Sequence, residues 1–223
     1  GLNADDQHSI EATDMWLTVT DAEQPAWIQY EFDGIYKLYE MLVWNYNVQF
    51  ELLLGIGFKE VTVEYSTDGA EWTVLGDFEF AQGTTKDTYA ANTMIDLEGV
   101  AARYVRLTAN SRWGTMMPQF GLSEVRFHHK PVAAREPMPM DGQAGVALDL
   151  TLDWRGGREA ATHDVYFSSD RAAVEAGTAL ADSVTESAYT ADSLDLGTIY
   201  YWKVNEVNEV ASPTKWEGNI WSI

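Results

Sequence analysis

Residues 61–75 read VTVEYSTDGAEWTVL, and the reading of that stretch decides the fold. Val61, Val63 and Tyr65 share one side of a period-2 alternation, while Thr62, Glu64 and Ser66 share the other, the signature of a half-buried antiparallel strand. Asp68-Gly69 supplies residues that tolerate positive φ in a hairpin turn, and Trp72, Val74 and Leu75 carry the chain back as the partner strand. An isolated hairpin is marginal in water, so other strands must flank it before and after.

Those strands are visible on both sides. Toward the N-terminus they fall at 15–20, 27–32 (WIQYEF) and 38–45; toward the C-terminus at 78–80, 93–97, 103–108 (RYVRLT) and 123–128. Helical periodicity is nearly absent, and many short strands separated by turn residues indicate a β-sandwich or barrel. Residues 1–14 are polar and acidic and read as a loop. Residues 131–146, PVAAREPMPMDGQAG with its flank, hold Pro and Gly with little pattern and read as a linker after a first domain at 1–130. Strands resume at 147–154, 162–168, 179–184, 199–208 and 216–223, with one helical turn at 170–176, so 147–223 makes a second all-β domain.

The totals narrow the function classes. With 35 Asp plus Glu against 14 Lys plus Arg the formal charge is −21, which disfavours nucleic acid and anionic membranes as partners and leaves carboxylates for calcium. The absence of cysteine excludes disulfides, thiol catalysis and thiolate metal sites. No apolar run has the length of a membrane span. Gly1 stands where a translation start would carry Met, so the chain reads as a piece of a longer protein, a monomer within it, whose address signal lies outside.

WIQYEF, KLYEMLVWNYN, VTVEYSTDGAEWTVLG, RYVRLTANSRWG and LSEVRF resemble the successive strands of a discoidin, or coagulation factor type C, domain. The Ser-x-Asp-Gly-x-x-Trp hairpin at 66–72 carries most of that likeness. The resemblance implies a galactose-binding-like jelly-roll β-sandwich and a binding module of the bacterial carbohydrate-binding kind, attached to a secreted, extracellular or cell-surface protein. Residues 194–204, LDLGTIYYWKV, resemble the corner and penultimate strand of a fibronectin type III domain, an immunoglobulin-like sandwich, with Tyr200 capping the turn, Tyr200, Trp202 and Val204 inward, and Trp154 in the core. That domain is expected to be a spacer.

A sugar ring offers apolar C–H faces and a rim of hydroxyls, so its site needs an exposed aromatic and directed hydrogen-bonding groups. Two connections are rich in both. Residues 44–57 supply Trp44, Asn45, Tyr46 and Asn47, and residues 110–121 supply Arg112 and Trp113. The resemblance places both loops at one end of the sandwich, so these six are the expected carbohydrate ligands. Trp44 could instead close the core, and an Asn in a turn commonly serves its own backbone. His8 joins the set or stays solvated. Residues 52–57, LLLGIG, form an apolar spike or pack over the sandwich end.

Calcium needs several hard oxygen ligands. Asn3, Asp5, Asp6 and Asp14 offer them, and the resemblance adds Glu124 of the last strand, giving a structural Ca2+ site expected on Asp5, Asp6 and Glu124. Catalysis finds no constellation: no opposed carboxylate pair is marked out, no phosphate-cradling loop or nucleophile elbow is present, and the Ser, His and Asp residues show no connecting pattern. The expected function is therefore non-catalytic carbohydrate binding, with a structural or adhesive protein-interaction module as the alternative.

Overall fold

The computed structural model describes residues 1–192 and 194–223. The chain divides between Lys130 and Pro131 into two compact units. The first unit contains β1 (Trp16–Leu17), β2 (Ala26–Asn45), α1 (Glu51–Leu54), β3 (Glu60–Ser66), β4 (Thr73–Glu79), β5 (Thr93–Ala109) and β6 (Gly121–Lys130). Its antiparallel strands lie in the order β1-β6-β2-β5-β3-β4.

Two pairs of expected strands are in fact single long ones. Residues 27–32 and 38–45 are both β2, and residues 93–97 and 103–108 are both β5. The register between β2 and β5 slips between Glu31 and Tyr36, and again between Leu38 and Glu40. Extra residues at such bulges bend and twist a strand. The two strands therefore turn together, and the sheet folds over into a jelly-roll sandwich. One continuous core fills it, with Met41 and Val43 of β2, Val61 and Val63 of β3, and Val105 and Leu107 of β5 all buried. Because the bend reverses β2 and β5, their first and last residues gather at one pole with the loops 44–60, 80–93 and 109–121.

The opening hairpin forms between β3 and β4, but its turn is wider than two residues. Gly69 takes a positive φ of 77°, while Asp68 acts through its side chain. Its Oδ1 accepts the N–H groups of Ala70 at 2.8 Å and Glu71 at 2.9 Å, and the Ser66 hydroxyl donates to it at 3.0 Å. These donors, Glu71 foremost, hold the Asp68 carboxyl below the usual carboxylate range.

The second unit holds β7 (Arg135–Met138), β8 (Thr151–Arg155), β9 (Thr162–Ser168), α2 (Arg171–Glu175), β10 (Leu180–Val184), β11 (Ala188–Thr190), β12 (Tyr201–Val207), β13 (Lys215–Trp216) and β14 (Trp221–Ser222). Strands β10-β9-β12-β13, with β14 also on β12, form one sheet, and β11-β8-β7 the other. Trp154 of β8 and Trp202 of β12 meet between the sheets at 6.3 Å, and Trp221 lies 4.6 Å from Trp202. The Tyr200 hydroxyl accepts the Asp195 N–H at 3.2 Å across the expected corner, although Tyr200 itself is half-buried.

The expected linker at 131–146 is a correction. Val132 and Ala134 are buried, β7 pairs with β8, and the Arg135 guanidinium donates to the Gly156 carbonyl at 3.1 Å. Proline does not prevent this, because β7 is an edge strand and Pro137 lies at the register shift between Arg135 and Met138.

The lowered Asp68 group fixes the sign of a pH effect. Its stabilisation is present above the unfolded carboxylate range and is lost as acid protonates it. Asp68→Ala should lower the melting temperature at about pH 7, and its deficit against the native chain should shrink toward about pH 3, measured by circular dichroism melts.

Candidate functional site

The loops that carry the six expected ligands do meet at one pole, but they meet by closing on each other. Gly114 N–H donates to the Gly55 carbonyl at 2.8 Å, and Trp113 N–H to the Gly57 carbonyl at 3.3 Å. Gly55 sits at φ 61°, and a Cβ there would fall 2.1 Å from the Gly114 nitrogen, so only glycine permits this approach.

Four of the six are interior. Asn45 and Asn47 are 0 % exposed. The Asn45 amide donates to the carbonyls of Phe58 at 2.7 Å and Ala81 at 2.9 Å, while its oxygen accepts the Tyr46 N–H at 2.9 Å. The Asn47 amide donates to Ser9 at 3.1 Å and Lys86 at 2.8 Å and accepts from Thr85 at 2.8 Å. Trp44 is buried beneath the Arg126 guanidinium, its indole N–H on the Asp6 carbonyl at 3.0 Å, and Tyr46 packs against Gly121. Trp44, Asn45 and Asn47 are corrected from ligand contacts to loop ties, because their polar groups are already used on backbone, and Tyr46 is corrected to a buried ring packed at the pole.

Arg112 and Trp113 are half-buried. The Arg112 guanidinium lies over Phe120 at 5.2 Å, and the Trp113 indole donates to Phe80 at 2.9 Å with the Lys59 ammonium 5.0 Å above its ring. His8, expected in the ligand set or in solvent, is buried with Nδ1 3.0 Å from the Ser9 carbonyl.

The expected apolar spike is built on a buried carboxylate. Glu51 Oε2 and Oε1 accept the N–H groups of Ile56 at 3.0 Å and Gly57 at 2.9 Å, locking the turn of α1 while Phe50, Leu52 and Leu53 stay exposed. Burial pushes the Glu51 carboxyl upward, and the two N–H donors pull it partly back.

The calcium set does not converge. Asp6 is taken by Arg126 at 2.7 Å, and Asn3 folds its side-chain oxygen onto the N–H groups of Asp5 and Gln7. Asp14 accepts the Ser9 hydroxyl at 2.6 Å, and Glu124 lies within β6 opposite Trp44. Among the described residues no three His, Asp or Glu side chains gather as a metal site.

A different surface at the same pole has the properties a ring ligand needs. Strand β2 alternates Ile28, Tyr30 and Phe32 inward against Trp27, Gln29 and Glu31 outward. Trp27 is therefore a tryptophan on the polar face, 57 % exposed. It walls an open concavity of about 480 Å³ whose lining includes Trp16, Thr18, Gln24, Arg106 and Thr108. Sequence reasoning missed this site, although the parity of Trp27 with Gln29 and Glu31 was a readable signal. A second concavity of about 510 Å³ lies at the far end of the β2–β5–β6 ladder, where Lys37, Glu40, Asp96, Glu98 and Lys130 stand beside the exposed Tyr39 and Met94.

In the second unit the structure connects residues the sequence left separate. Glu206 holds Nδ1 of His163, the Ser187 hydroxyl lies 3.4 Å from Nε2, and the other Glu206 oxygen accepts the Gly157 N–H at 2.8 Å. His163 and Glu206 are buried, with the imidazole edge-on to Trp154 at 5.5 Å. The group is a polar clasp between the two sheets.

The first unit is thus a jelly-roll β-sandwich with an aromatic-walled hollow on its flank. The F5/8 type C domain matches residues 3–120, more than half of the chain, and the chain belongs to that family. No curated protein matches it. Among solved structures it is similar to CBM32-3 from a family 31 glycoside hydrolase of Clostridium perfringens, at 19 % identity and TM-score 0.42, covering 52 % of this chain and 75 % of that one. It is also similar to GH31 CBM32-2 bound to GalNAc, at 18 % identity and TM-score 0.39, covering 58 % and 89 %. A third likeness is to a family 89 glycoside hydrolase from Clostridium perfringens in complex with 2-acetamido-1,2-dideoxynojirmycin, at 14 % identity and TM-score 0.38; it covers 52 % of this chain but only 11 % of that enzyme. Among the described residues no helix is long and apolar enough to cross a membrane.

Replacing Asn47 by Ala removes the side-chain partner of the Ser9 and Lys86 carbonyls and of the Thr85 N–H together. The expected loss is about 1–3 kcal/mol of stability, read as a lower urea midpoint at unchanged m-value.

Proposed function

We propose that the chain is a non-catalytic carbohydrate-binding region of a larger secreted bacterial protein, with the sugar seated on Trp27. The observation that carries this reading is the exposed Trp27 indole on an otherwise polar sheet face, at the rim of a hollow that also offers Thr18, Gln24, Arg106 and Thr108. The indole would stack on the C–H face of a pyranose while the polar side chains meet its hydroxyls. Membership in the F5/8 type C family supports a binding role over a catalytic one. Arg112 and Trp113, near the same pole, would limit how far a ligand spreads toward the loops.

Affinity of this kind is millimolar to micromolar, about −4 to −8 kcal/mol. The second unit would be a fibronectin type III-like spacer, a reading supported by the Tyr200 corner and the paired Trp154 and Trp202. One observation favours the alternative of a protein-binding adhesive module: Phe50, Leu52, Leu53 and Met116 are all exposed at the loop pole.

A glycan array separates the two. The native chain should give hits, with or without added calcium, and Trp27→Ala should lose them while keeping the native melting temperature. An array silent for the native chain refutes carbohydrate binding.

A further inference from the structure

We propose that the binding surface continues beyond the Trp27 hollow as a track over the outer face of β2, β5 and β3, and that its ligand is an uncharged polysaccharide chain held along its length. This rests on the carbohydrate-binding reading and extends it from a single ring to a polymer. The track runs through Trp27, Arg106, Trp72 and Tyr104.

Strand parity creates it. Arg106, Tyr104 and Thr108 share the outer face of β5, while Val105 and Leu107 are buried beneath. Thr108 stands opposite Trp27, Arg106 opposite Gln29 and Tyr104 opposite Glu31, so the side chains rise from neighbouring strands as one surface. The Arg106 guanidinium lies 5.2 Å from the Trp27 ring and 3.8 Å from the Trp72 ring, between two indoles. Trp72 continues toward Tyr104 at 6.4 Å.

Three of the four, Arg106, Trp72 and Tyr104, are hydrogen-bonded in place before any ligand arrives. Arg106 donates to Gln29 at 3.1 Å, the Trp72 indole N–H to the Gly69 carbonyl at 3.2 Å, and the Tyr104 hydroxyl to Glu31 at 3.0 Å, where Arg103 also donates at 2.9 Å. A surface already ordered loses little side-chain entropy on binding. A terminal sugar would need only Trp27 and its hollow. Aromatic faces on both sides of one fixed guanidinium suit successive rings of a chain that enters and leaves the track. The charge selects within that class: a chain of net −21 that also places Glu31 and Glu64 on or beside the track repels polyuronates and sulfated glycans.

The test uses the whole chain. Affinity gel electrophoresis against xylan, mixed-linkage β-glucan, laminarin, galactan and alginate identifies a retaining polymer. Calorimetry then follows its oligosaccharides from the disaccharide to the hexasaccharide. Affinity should rise with length, and Trp27→Ala should weaken every length. Trp72→Leu should lower hexasaccharide affinity about tenfold, the loss of one stacking face, so that the hexasaccharide-to-disaccharide ratio falls toward one. Should Trp72→Leu melt early, Trp72→Phe keeps an aromatic over Arg106, and a smaller but measurable fall in the same ratio is expected. Length-independent affinity, or a ratio untouched by both Trp72 variants, overturns the track while leaving a single-ring site at Trp27. Retention by alginate alone overturns the uncharged class. Retention by none of the polymers, together with a silent glycan array, overturns the track and the carbohydrate reading at once; array hits without retention overturn the track alone.

Discussion

A backbone that leaves a sheet takes its unpaired N–H and C=O groups with it, and at the loop pole of the first unit two buried asparagines meet that demand. Asn45 joins the segments at 58 and 81, and Asn47 joins those at 9, 85 and 86. An amide suits the task because it both donates and accepts, so one side chain replaces several missing ladder bonds. Glu51 does the same for the turn beneath the apolar spike. Without these ties the loops 44–60, 80–93 and 110–120 would carry unsatisfied buried polar groups.

That closure decides where a ligand can sit. With the loops drawn against each other by the contacts of Gly55 and Gly114, the polar residues of the pole turn inward. The open surface lies on the flank, where β2 and β5 turn one side of a strongly alternating pair of strands outward. The same alternation that packs Val105 and Leu107 into the core leaves Arg106 and Tyr104 half-buried on the outer face. Stability and display are thus two faces of one period-2 pattern.

The second unit solves its own burial problem differently. Strand β12 is covered on both faces: Trp202 and Val204 enter the core with Glu206 at its end, while Lys203 and Asn205 are buried on the other side. Each of these polar groups has a partner. Lys203 donates to the Glu175 carbonyl at the end of α2, Asn205 accepts from Gly218, and Glu206 holds His163. Removing either partner of the Glu206–His163 pair would leave the other's polar group buried and unsatisfied.

Composition and alternation alone were enough for the all-β class, the strands from 61 to 75 and the absence of thiol chemistry, because strand parity is a local property of neighbouring residues. The merging of 27–32 with 38–45 into one strand was not legible, since a bulge at 31–36 looks locally like a loop. Nor was the recruitment of 135–138 as an edge strand, because a proline-rich stretch reads as a linker until a partner strand is placed beside it. The fate of Asn45 and Asn47 depended on carbonyls up to 39 residues away, which no spacing rule contains. Sequence determined which side chains share a face; only the tertiary structure decided which face meets water, because burial is set by what the rest of the chain packs against it.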